Sequence, residues 1–540
     1  MSFRSTYPDF DIPDVDLHSF IFGSRDGDRD GDPAIVDTAS AQTYSYGQLA
    51  DAVDRVAAGL AERGLGRGDV AALFSPNCAD YPAAFHGILR AGAVVSPVNA
   101  LYTEDELAHQ LRDAGARILF TSSAGLGCAR AAVAHEGVRV EEIIVLGPPQ
   151  QGASAVPETT FADLLTMSAH TPTVRVAGDD LAALPYSSGT TGLPKGVMLT
   201  HRNLVANLLQ TIPLSRTQPG SQSLVVLPLS HIYAMGLMNQ GLHRGATTVV
   251  MPRFDLATFL GAIAEHRIDH VYIVPPIALA LATSPLVDDY DLSGLDVVMS
   301  AAAPLDARLA RTVSDRLGAA VVQGYGLTEC SPCTHGIPPD RTDIDRGSIG
   351  ILMPNVEARV VDPTTGEDAA LGQRGELWCR GPNIMRGYLN NPEATSATVD
   401  ADGYLHTGDI VTVDESGVFR VVDRVKELIK YNGYQIAPAE LEAVLLAHEG
   451  IADAAVIGAP GPGGGEIPKA FITRKTTHPD LTAEDVLTFT AARLAPYKKI
   501  REVAFLDHIP KSATGKILRK ELRQRSSGLD RAPDTDQAPA

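Results

Sequence analysis

The sequence predicts an α/β protein with a large N-terminal domain of layered, mostly parallel sheets and helices, a small β-rich subdomain and a small α+β C-terminal domain. Up to about residue 355, short apolar runs alternate with longer amphipathic segments, which is the pattern of parallel sheets covered by helices. Beyond it, apolar and polar residues alternate between Gly, Asp and Pro turns, which predicts small antiparallel sheets. A new unit of about a hundred residues begins near Arg424.

Periodicity places each element of the first part. The predicted strands are short apolar runs at residues 70–74, 143–146, 224–227, 247–251, 271–274, 297–299 and 321–322. The predicted helices are amphipathic segments at residues 46–62, 104–113, 256–266 and 307–317. Strands separated by helices of this length are typical of parallel sheets.

The rest of the chain is divided in the same way. Alternating segments at residues 356–361, 375–380 and 417–422 predict the β-rich subdomain. The C-terminal unit is predicted to contain two helices and two strands, at residues 439–448, 483–494, 454–457 and 470–473. We place the domain boundary within residues 422–426, which gives domains of residues 1–423 and 424–525. Residues 526–540 are polar and contain proline, so we expect a disordered tail.

Composition and charge exclude several classes of protein. The chain has 540 residues, 44% hydrophobic and 20% charged, as in a folded globular protein. Lys and Arg number 45 against 65 Asp and Glu, so the net charge is −20. Dedicated nucleic-acid binders and proteins held on anionic membranes need a basic surplus, and the balance argues against both. The composition leaves open whether the protein forms a homodimer.

The cysteines and the apolar runs predict where the protein works. Five cysteines are few for a chain of this length, and their number is odd, so a disulfide framework is not expected. The low cysteine content favours a reducing compartment. Cys330 and Cys333 form a C-x-x-C, but no second pair exists for a zinc site, so we interpret them as packed thiols. No apolar run opens the chain, and the stretch at residues 270–282 is too short to span a membrane. We therefore expect a cytoplasmic protein without a membrane partner.

The most informative motif is SSGTTGLPKG at residues 187–196, which precedes a predicted helix beginning near His201. Its glycines and hydroxyls leave hydrogen-bond donors free and Lys195 adds a positive charge, a combination that suits the β- and γ-phosphates of ATP. A P-loop would need Gly at 194 and Ser or Thr at 196, where the chain has Pro194 and Gly196. A plain polar turn seldom combines so many hydroxyls with a lysine, so phosphate binding is favoured.

Six more motifs follow this one along the chain: LPLSHIYAMG (227–236), YGLTE (325–329), GELWCRG (375–381), YLHTGD (404–409), DRVKELIKYNGYQIAPAELE (423–442) and PKSATGKILRK (510–520). Together they resemble the AMP-forming, adenylate-producing superfamily, and most of all its 4-coumarate:CoA ligase branch. The resemblance covers nearly the whole chain. It implies that a carboxylic acid and ATP give an acyl adenylate and pyrophosphate, and that CoA then displaces AMP. A small carboxylic acid, ATP, CoA and Mg²⁺ are therefore the expected substrates and cofactors.

The resemblance assigns contacts with the cofactors to particular motif residues. Thr328 would meet the α-phosphate, Glu329 would hold Mg²⁺ as a hard oxygen ligand, and Asp409 would accept the ribose hydroxyls. The full cofactor-binding set is Ser187, Ser188, Gly189, Thr190, Thr191, Lys195, Gln323, Gly324, Tyr325, Thr328, Asp409, Arg424, Lys426, Arg253, Asn432 and Gly433.

The resemblance assigns catalysis to His231 and to three residues of a mobile C-terminal domain. Lys516 is by resemblance the adenylation lysine, whose ammonium would bridge the carboxylate and the α-phosphate. Lys426 falls at the family's hinge position, about which the C-terminal domain rotates. Rotation would remove Lys516 and bring Lys430 and Gln435 to the site, so these three and His231 form the predicted catalytic set.

Two departures concern CoA and the acid. Many relatives have Lys where this chain has Asn432, and Arg253 stands at a CoA-contacting position that would supply the phosphate contact instead. The acyl pocket would be lined by His231, Tyr233, Leu237, Met299, Ala302, Gly324, Pro332 and Cys333. Leu237 stands where plant hydroxycinnamate ligases have a small hydroxyl residue, so we expect an apolar pocket for cinnamate-like and 4-coumarate-like acids.

Three alternatives accompany this interpretation. The acid is a medium-chain fatty acid in the first. In the second, the same fold activates another oxyanion or uses another acceptor, such as a carrier-protein thiol or an amine, and Asn432 keeps this one open. The third, a non-catalytic nucleotide-binding regulator, is disfavoured because Lys516, Glu329 and Lys195 are all present.

Overall fold

The computed structural model of the protein describes residues 2–23, 27–166, 174–187, 194–424, 427–431, 434–461, 466–494, 498–512 and 515–528, with the backbone alone at residues 424, 430, 434, 435, 527 and 528.

The strands of this described part are, in chain order, β1 (Ser2–Arg4), β2 (Pro33–Asp37), β3 (Thr43–Ser45), β4 (Val70–Phe74), β5 (Val94–Val98), β6 (Ala116–Ser122), β7 (Glu142–Leu146), β8 (Glu158–Thr160), β9 (Leu181–Ala183), β10 (Tyr186–Ser187), β11 (Lys195–Thr200), β12 (Gln222–Val225), β13 (Thr247–Val250), β14 (His270–Ile273), β15 (Val297–Ser300), β16 (Ala320–Gly326), β17 (Cys333–Gly336), β18 (Ile351–Leu352), β19 (Glu357–Val361), β20 (Gly375–Arg380), β21 (Gly387–Tyr388), β22 (Leu405–Val413), β23 (Phe419–Arg424), β24 (Ile429–Tyr431), β25 (Tyr434–Ile436), β26 (Ile451–Pro460), β27 (Glu466–Arg474) and β28 (Glu502–Phe505).

The α-helices of the same part are α1 (Leu17–Phe22), α2 (Tyr46–Glu62), α3 (Asp80–Arg90), α4 (Glu104–Ala114), α5 (Leu126–Val133), α6 (Phe161–Thr166), α7 (His201–Gln210), α8 (Ile232–Arg244), α9 (Leu256–Glu265), α10 (Pro275–Thr283), α11 (Ala307–Leu317), α12 (Pro392–Ser396), α13 (Pro438–Leu446), α14 (Ala483–Ala491) and α15 (Arg519–Gly528). Within the described ranges, every helix is too short or too polar to pass through a membrane.

The first sheet is built around parallel strands buried on both faces. Its order is β10-β11-β9-β5-β4-β6-β7-β8, with β21 added to β11, and the strands from β9 to β8 run parallel. Alternate residues of β4 enter two different cores: Ala71 and Leu73 pack with α2 and α3, whereas Ala72 and Phe74 pack with α4 and α5. A strand covered on both faces reads as a continuous apolar run, which is why the sequence predicts it correctly.

The second sheet has the order β18-β17-β16-β15-β14-β12-β13-β2-β3, and its strands from β16 to β2 are parallel. The chain passes from β12 to β13 on one side and then returns to place β14 on the other side of β12. The strand order therefore reverses between β12 and β14. Parallel α/β sheets bind their ligands at such a point, beyond the carboxyl ends of the strands.

The remaining sheets confirm the predicted change from parallel to small antiparallel sheets after about residue 355. The third sheet, β1-β19-β20-β22-β23, is wholly antiparallel and forms the β-rich subdomain, with the N-terminal strand β1 along its edge. The C-terminal unit has a hairpin, β24-β25, and a sheet, β26-β27-β28. Its apolar core is separate and includes Leu441, Val456 and Ile472. The fold class predicted from the sequence is confirmed.

Local signals explain where the helices begin and end. Ser45 caps α2 in a capping box with Gln48, and Asp306 caps α11, whose end is the left-handed Gly318. Both helices have the predicted bounds. In contrast, α14 ends at Ala491, three residues before its predicted end, where the last turn tightens and the amide of residue 493 bonds to the carbonyl three residues earlier, that of Thr490.

Candidate active site

The predicted site residues collect at the carboxyl edge of the second sheet. His231 follows β12, Arg253 follows β13 and Ala302 follows β15. Tyr325 lies at the carboxyl end of β16. Because β12 to β16 are parallel neighbours, these positions share one edge although up to 94 residues separate them in the chain. The edge includes the point where the strand order reverses.

A buried asparagine joins the first sheet to this edge. The Asn77 side-chain amide follows β4 and donates to the carbonyls of Leu227 and Met251, both at 2.9 Å, while Asn77 Oδ1 accepts from the Leu229 amide at 2.8 Å. One side chain thus fixes the loops after β12 and β13. Sequence reasoning missed Asn77, because SPNC at residues 75–78 looks like an ordinary turn.

His231 is a neutral imidazole at the start of α8. Its Nδ1 accepts a hydrogen bond of 3.3 Å from the Tyr233 amide, as the N-cap of the helix. Burial and, to a lesser extent, the charge of the Lys516 ammonium lower the pKa of His231 to about 4. Since Nδ1 is an acceptor, the neutral ring carries its proton on Nε2, which is then a hydrogen-bond donor.

The loop that bears Lys516 lies over the same edge. A turn closes on Ser512, whose amide bonds to the Lys516 carbonyl at 2.8 Å and whose hydroxyl accepts from the Lys516 amide at 3.2 Å. Gly515 has a φ of +77°, and a Cβ there would lie 2.9 Å from Pro276 Cδ, so only glycine fits against the start of α10. The charge of Lys516 acts on the buried His231, so the structure brings these two residues together.

A buried ion-pair network attaches this loop to the rest of the C-terminal unit. Arg519 donates to both carboxylate oxygens of Glu442, at 2.6 and 2.8 Å, and to Glu427 Oε2 at 2.6 Å. Glu442 also accepts from the Val456 amide at 2.7 Å. Arg519 was missed as a functional residue, although it belongs to the motif at residues 510–520, because an arginine in a basic segment resembles a solvated charge.

The predicted ribose site contains a short hydrogen bond. The Tyr325 phenol donates to Asp409 Oδ2 at 2.6 Å, and Asp409 is 3% exposed. The Gln323 side-chain amide bonds to the backbone of Leu305, Arg346 and Ser348. Gln323 thus holds the loops around the edge, and its own contact with nucleotide stays a prediction, as it does for Gly324.

The predicted metal ligand is a buried carboxylate. Glu329 lies in a short 3₁₀-helix that begins at Thr328; it is 8% exposed, and its Oε1 accepts a hydrogen bond of 2.8 Å from Tyr388. The described residues contain no group of three or more His, Cys, Asp or Glu side chains suited to a metal. Mg²⁺ commonly binds one or two carboxylates together with substrate phosphates and water, so a single buried carboxylate fits it.

The phosphate motif is described only at its two ends. Ser187 in β10 is paired with Lys195 in β11, and the Lys195 ammonium lies 4.6 Å from the centre of the Tyr388 ring. The predictions for Ser188, Gly189, Thr190, Thr191, Lys426, Asn432 and Gly433 fall outside the described residues. The backbones of Arg424, Lys430 and Gln435 lie in β23, β24 and β25. Arg253 is exposed after β13, and Ala302 is exposed with a φ of +69°.

The predicted acyl pocket is partly assembled around α8. Tyr233 is buried and donates through its hydroxyl to the Met299 carbonyl at 3.2 Å. Gly236 approaches Pro332, since a Cβ at Gly236 would lie 3.4 Å from Pro332 Cδ. Leu237 follows directly and is buried. The structure therefore joins α8 with the end of β15 and with the segment after Glu329.

Cys333 is a packed thiol, as predicted for both cysteines of the C-x-x-C. Burial raises the pKa of Cys333 to about 12 and that of Cys330 well above its usual value, and both are free thiols. The Asn207 side chain accepts from the Cys333 amide at 3.1 Å and donates to its carbonyl at 2.7 Å. This contact fixes the backbone beside the predicted pocket, and Asn207 stands in none of the motifs that sequence reasoning singles out.

Comparisons with known proteins agree with this arrangement. The profile described as AMP-binding enzyme matches residues 25–389, and that of the AMP-binding enzyme C-terminal domain matches residues 440–516. A 4-coumarate–CoA ligase of Pinus taeda is 40% identical over 533 residues, which is 97% of each chain. 4-Coumarate–CoA ligase 1 of Solanum tuberosum is 40% identical over 536 residues, covering 97% of this chain and 96% of its own.

Solved structures have the same fold. ATP-bound MatB from Rhodopseudomonas palustris has a TM-score of 0.86 and 30% identity, covering 96% of this chain and 100% of its own. The anthranilate CoA ligase AuaEII in complex with anthranoyl-AMP has a TM-score of 0.85 and 26% identity, covering 96% and 99%. With motifs, fold and edge-site geometry in agreement, the chain belongs to the AMP-binding enzyme family, and among its members it is similar to the 4-coumarate–CoA ligases.

Proposed function

We propose that this protein is an AMP-forming acid–CoA ligase: it activates a carboxylic acid with ATP to an acyl adenylate and then transfers the acyl group to CoA. The observation that carries the proposal is the meeting of Lys516 with the neutral His231 at the point where the strand order of the second sheet reverses. The family membership and the 4-coumarate–CoA ligase relatives support it.

In the first half-reaction, a carboxylate oxygen of the acid attacks the α-phosphorus of ATP and pyrophosphate leaves. Negative charge increases on the phosphoryl oxygens in the transition state, and the Lys516 ammonium offsets it. His231 stays uncharged near neutral pH and donates through Nε2 beside the same position. Lys195 and the hydroxyl-rich loop that it ends would hold the leaving phosphates.

The nucleotide and its metal would be held by residues on both sides of this point. Asp409 would accept the ribose hydroxyls, held in place by Tyr325, and Thr328 would contact the α-phosphate. Glu329 would hold Mg²⁺, which neutralises charge on the phosphates when bound.

The second half-reaction needs the C-terminal unit to move. The CoA sulfur attacks the acyl carbonyl carbon and AMP leaves. We propose domains of residues 1–423 and 424–525 that rotate about Lys426, so that Lys430 and Gln435 replace Lys516 at the site. The Lys516 loop would travel as one body with its domain because Arg519 attaches it to Glu442 and Glu427. Arg253 is the exposed cation offered to the CoA phosphates.

The acid class follows from the residues around α8. Leu237 and Met299 are apolar and buried, and the Tyr233 hydroxyl is already bonded to the backbone, so these three side chains form an apolar wall. Such a wall fits an aryl acid of the cinnamate and 4-coumarate type. The charge of −20 and the free cysteines among the described residues support a reducing, cytoplasmic setting.

The test is a pair of assays on the purified protein. Pyrophosphate release is measured with ATP, Mg²⁺ and a panel of acids that includes 4-coumarate, cinnamate, benzoate and octanoate, and acyl-CoA is measured by mass spectrometry. We expect release with the aryl propenoic acids and CoA-dependent formation of their thioesters. Release with no acid of the panel, or adenylate formation without any thioester when CoA is added, would contradict the proposal.

A further inference from the structure

Tyr388 contacts both the predicted metal ligand and the predicted phosphate lysine. We propose that it is a positioning residue for the metal-bound nucleotide: its hydroxyl orients the Glu329 carboxylate and its ring holds the Lys195 ammonium. This inference rests on the proposed function, because it takes Glu329 and Lys195 to bind the same phosphate group. It assigns a role to a residue that none of the predicted site sets contains.

The backbone fixes the Tyr388 side chain tightly. Tyr388 lies in β21, opposite Val197 of β11, and the flanking Leu389 amide bonds to the Gly196 carbonyl at 2.8 Å. The Tyr388 amide donates to Thr395 Oγ1 at 2.8 Å. Strand β11 is the direct continuation of the phosphate motif, so Tyr388 is anchored to the segment whose lysine its ring contacts.

The hydroxyl acts on the metal ligand. Tyr388 Oη donates to Glu329 Oε1 at 2.8 Å, and both residues are buried. A hydrogen bond to one carboxylate oxygen fixes the rotation of the group and leaves its other oxygen for a cation, as in other metal sites where a neighbouring donor orients the ligand.

The ring acts on the lysine. An ammonium 4.6 Å from the centre of a tyrosine ring is within cation–π range, and this contact limits the positions that a flexible lysine side chain takes. The same side chain thus fixes a cation and an anion that would meet one metal-bound triphosphate from two sides. A tyrosine that only filled space would need neither contact.

The experiment separates the two contacts by the substitution chosen. Tyr388→Phe keeps the ring over Lys195 and removes the hydrogen bond to Glu329, whereas Tyr388→Leu removes both. The matched control is Tyr44→Phe: Tyr44 is also buried and also donates at 2.8 Å to a carboxylate, that of Asp80 in α3, and neither residue belongs to a predicted site set. Thermal denaturation of every variant identifies any that fail to fold.

The readout is binding of α,β-methylene-ATP by isothermal titration calorimetry, once with Mg²⁺ and once with EDTA. Loss of a hydrogen bond to a charged group predicts that Tyr388→Phe weakens binding about tenfold with Mg²⁺ and less than about twofold with EDTA. Tyr388→Leu should weaken binding in both conditions, and Tyr44→Phe in neither. In a Glu329→Ala background, Tyr388→Phe should cause no further loss, since the oxygen that accepts its hydrogen bond is gone.

Two results would overturn the inference: equal affinity of wild type and Tyr388→Phe with Mg²⁺, or an equal loss with and without Mg²⁺. If Tyr388→Leu does not fold, the comparison of Tyr388→Phe with Tyr44→Phe still decides. Nucleotide binding needs no acid and no turnover, so failure of the proposed ligase activity would appear separately, as absence of pyrophosphate release in the wild type.

Discussion

The Tyr325 phenol donates a hydrogen bond of 2.6 Å to Asp409 Oδ2, and this bond joins the end of β16 in the second sheet to β22 in the third. Burial raises the pKa of Tyr325 well above its usual value, and the Asp409 charge raises it further, so the phenol remains a donor near neutral pH. His335 lies opposite Tyr325 in the register of β16 and β17. The two rings meet edge to face, with their centres 5.7 Å apart. The carboxylate that we propose to bind the ribose is therefore positioned by a tyrosine from a different sheet.

We expect Tyr325→Phe to raise the KM for ATP by about tenfold, the usual consequence of losing one hydrogen bond to a charged group, while kcat changes little. The reason is that the ring and its contact with His335 stay, whereas Asp409 loses its orientation. Steady-state pyrophosphate release at varied ATP measures the effect. A fall in kcat with an unchanged KM would show that Tyr325 acts on the chemical step instead.

Much of the fold was predictable because its parallel strands are covered on both faces. Continuous apolar runs such as residues 70–74 then have one interpretation, and strong caps such as Ser45 and Asp306 set helix ends to the residue. The C-terminal strands β26 and β27 were predicted too short. They form a long hairpin whose ends alternate in burial or are partly exposed, and partly exposed strand ends carry a weak apolar signal.

The candidate site was predictable where a motif has an unusual composition, as at residues 187–196 and 510–520. Residues that act through other residues gave no such signal. Asn77, Asn207 and Tyr388 each satisfy a partner that is remote in the chain, at sequence separations of 150, 126 and 59. A single sequence contains no information on which distant group a buried amide or phenol will meet. These contacts are fixed only when the sheets pack together.

We expect Lys516→Ala to reduce acid-dependent pyrophosphate release by about 10²–10³-fold, because one well-placed donor to developing charge is lost. Formation of thioester from supplied acyl adenylate and CoA should stay near the wild-type rate, since Lys516 has then left the site. Single-turnover assays of the two half-reactions measure this. Lys511→Ala is the matched control: Lys511 belongs to the same loop and pairs at 2.6 Å with Asp453, on the C-terminal unit itself.

The control should keep both half-reactions, because an exposed ion pair contributes at most about 1 kcal/mol to stability. Near-normal adenylation by Lys516→Ala would remove this lysine from the mechanism. Equal loss of both half-reactions would contradict the rotation of the C-terminal unit.

Acid should destabilise the protein through buried neutral histidines. Burial lowers the pKa of His86 well below its usual value, and neighbouring His18, whose own pKa is about 4, lowers it further. The unfolded chain binds these protons below about pH 6.5 while the native state does not, so the free energy of unfolding falls as pH decreases from there. Each such group contributes a slope of up to about 1.4 kcal/mol per pH unit.

His86→Phe removes one of these groups and should reduce the difference in unfolding free energy between pH 7 and pH 5. Urea unfolding at both pH values measures it. His508→Phe, at an exposed position, is the control and should leave the difference as in the wild type. A His86→Phe variant with an unchanged difference would show that His86 does not stay neutral in the native protein.

The last prediction concerns the choice of acid. Tyr233 and Leu237 are one helical turn apart on α8, and the Tyr233 hydroxyl reaches the Met299 carbonyl on β15. Leu237 thus shares a face with a residue that contacts the neighbouring wall of the proposed acyl pocket. A leucine offers no hydrogen bond to a ring hydroxyl, and apolar pockets discriminate weakly against one. The wild type should therefore use cinnamate and 4-coumarate with kcat/KM values within about tenfold of each other.

Leu237→Ser should shift this ratio toward 4-coumarate by about tenfold or somewhat less, since a new hydrogen bond contributes about 1 kcal/mol net. Leu237→Ala is the matched control: it makes a similar change in volume without a hydroxyl, so it should alter both kcat/KM values and leave their ratio unchanged. A competition assay with both acids, its thioesters resolved by mass spectrometry, gives the ratio directly. If Leu237→Ser and Leu237→Ala shift the ratio equally, the effect is one of volume and residue 237 does not meet the ring substituent. If the wild type rejects cinnamate by about a thousandfold, a polar group must line the pocket, and the apolar wall around Leu237 is not where the ring lies.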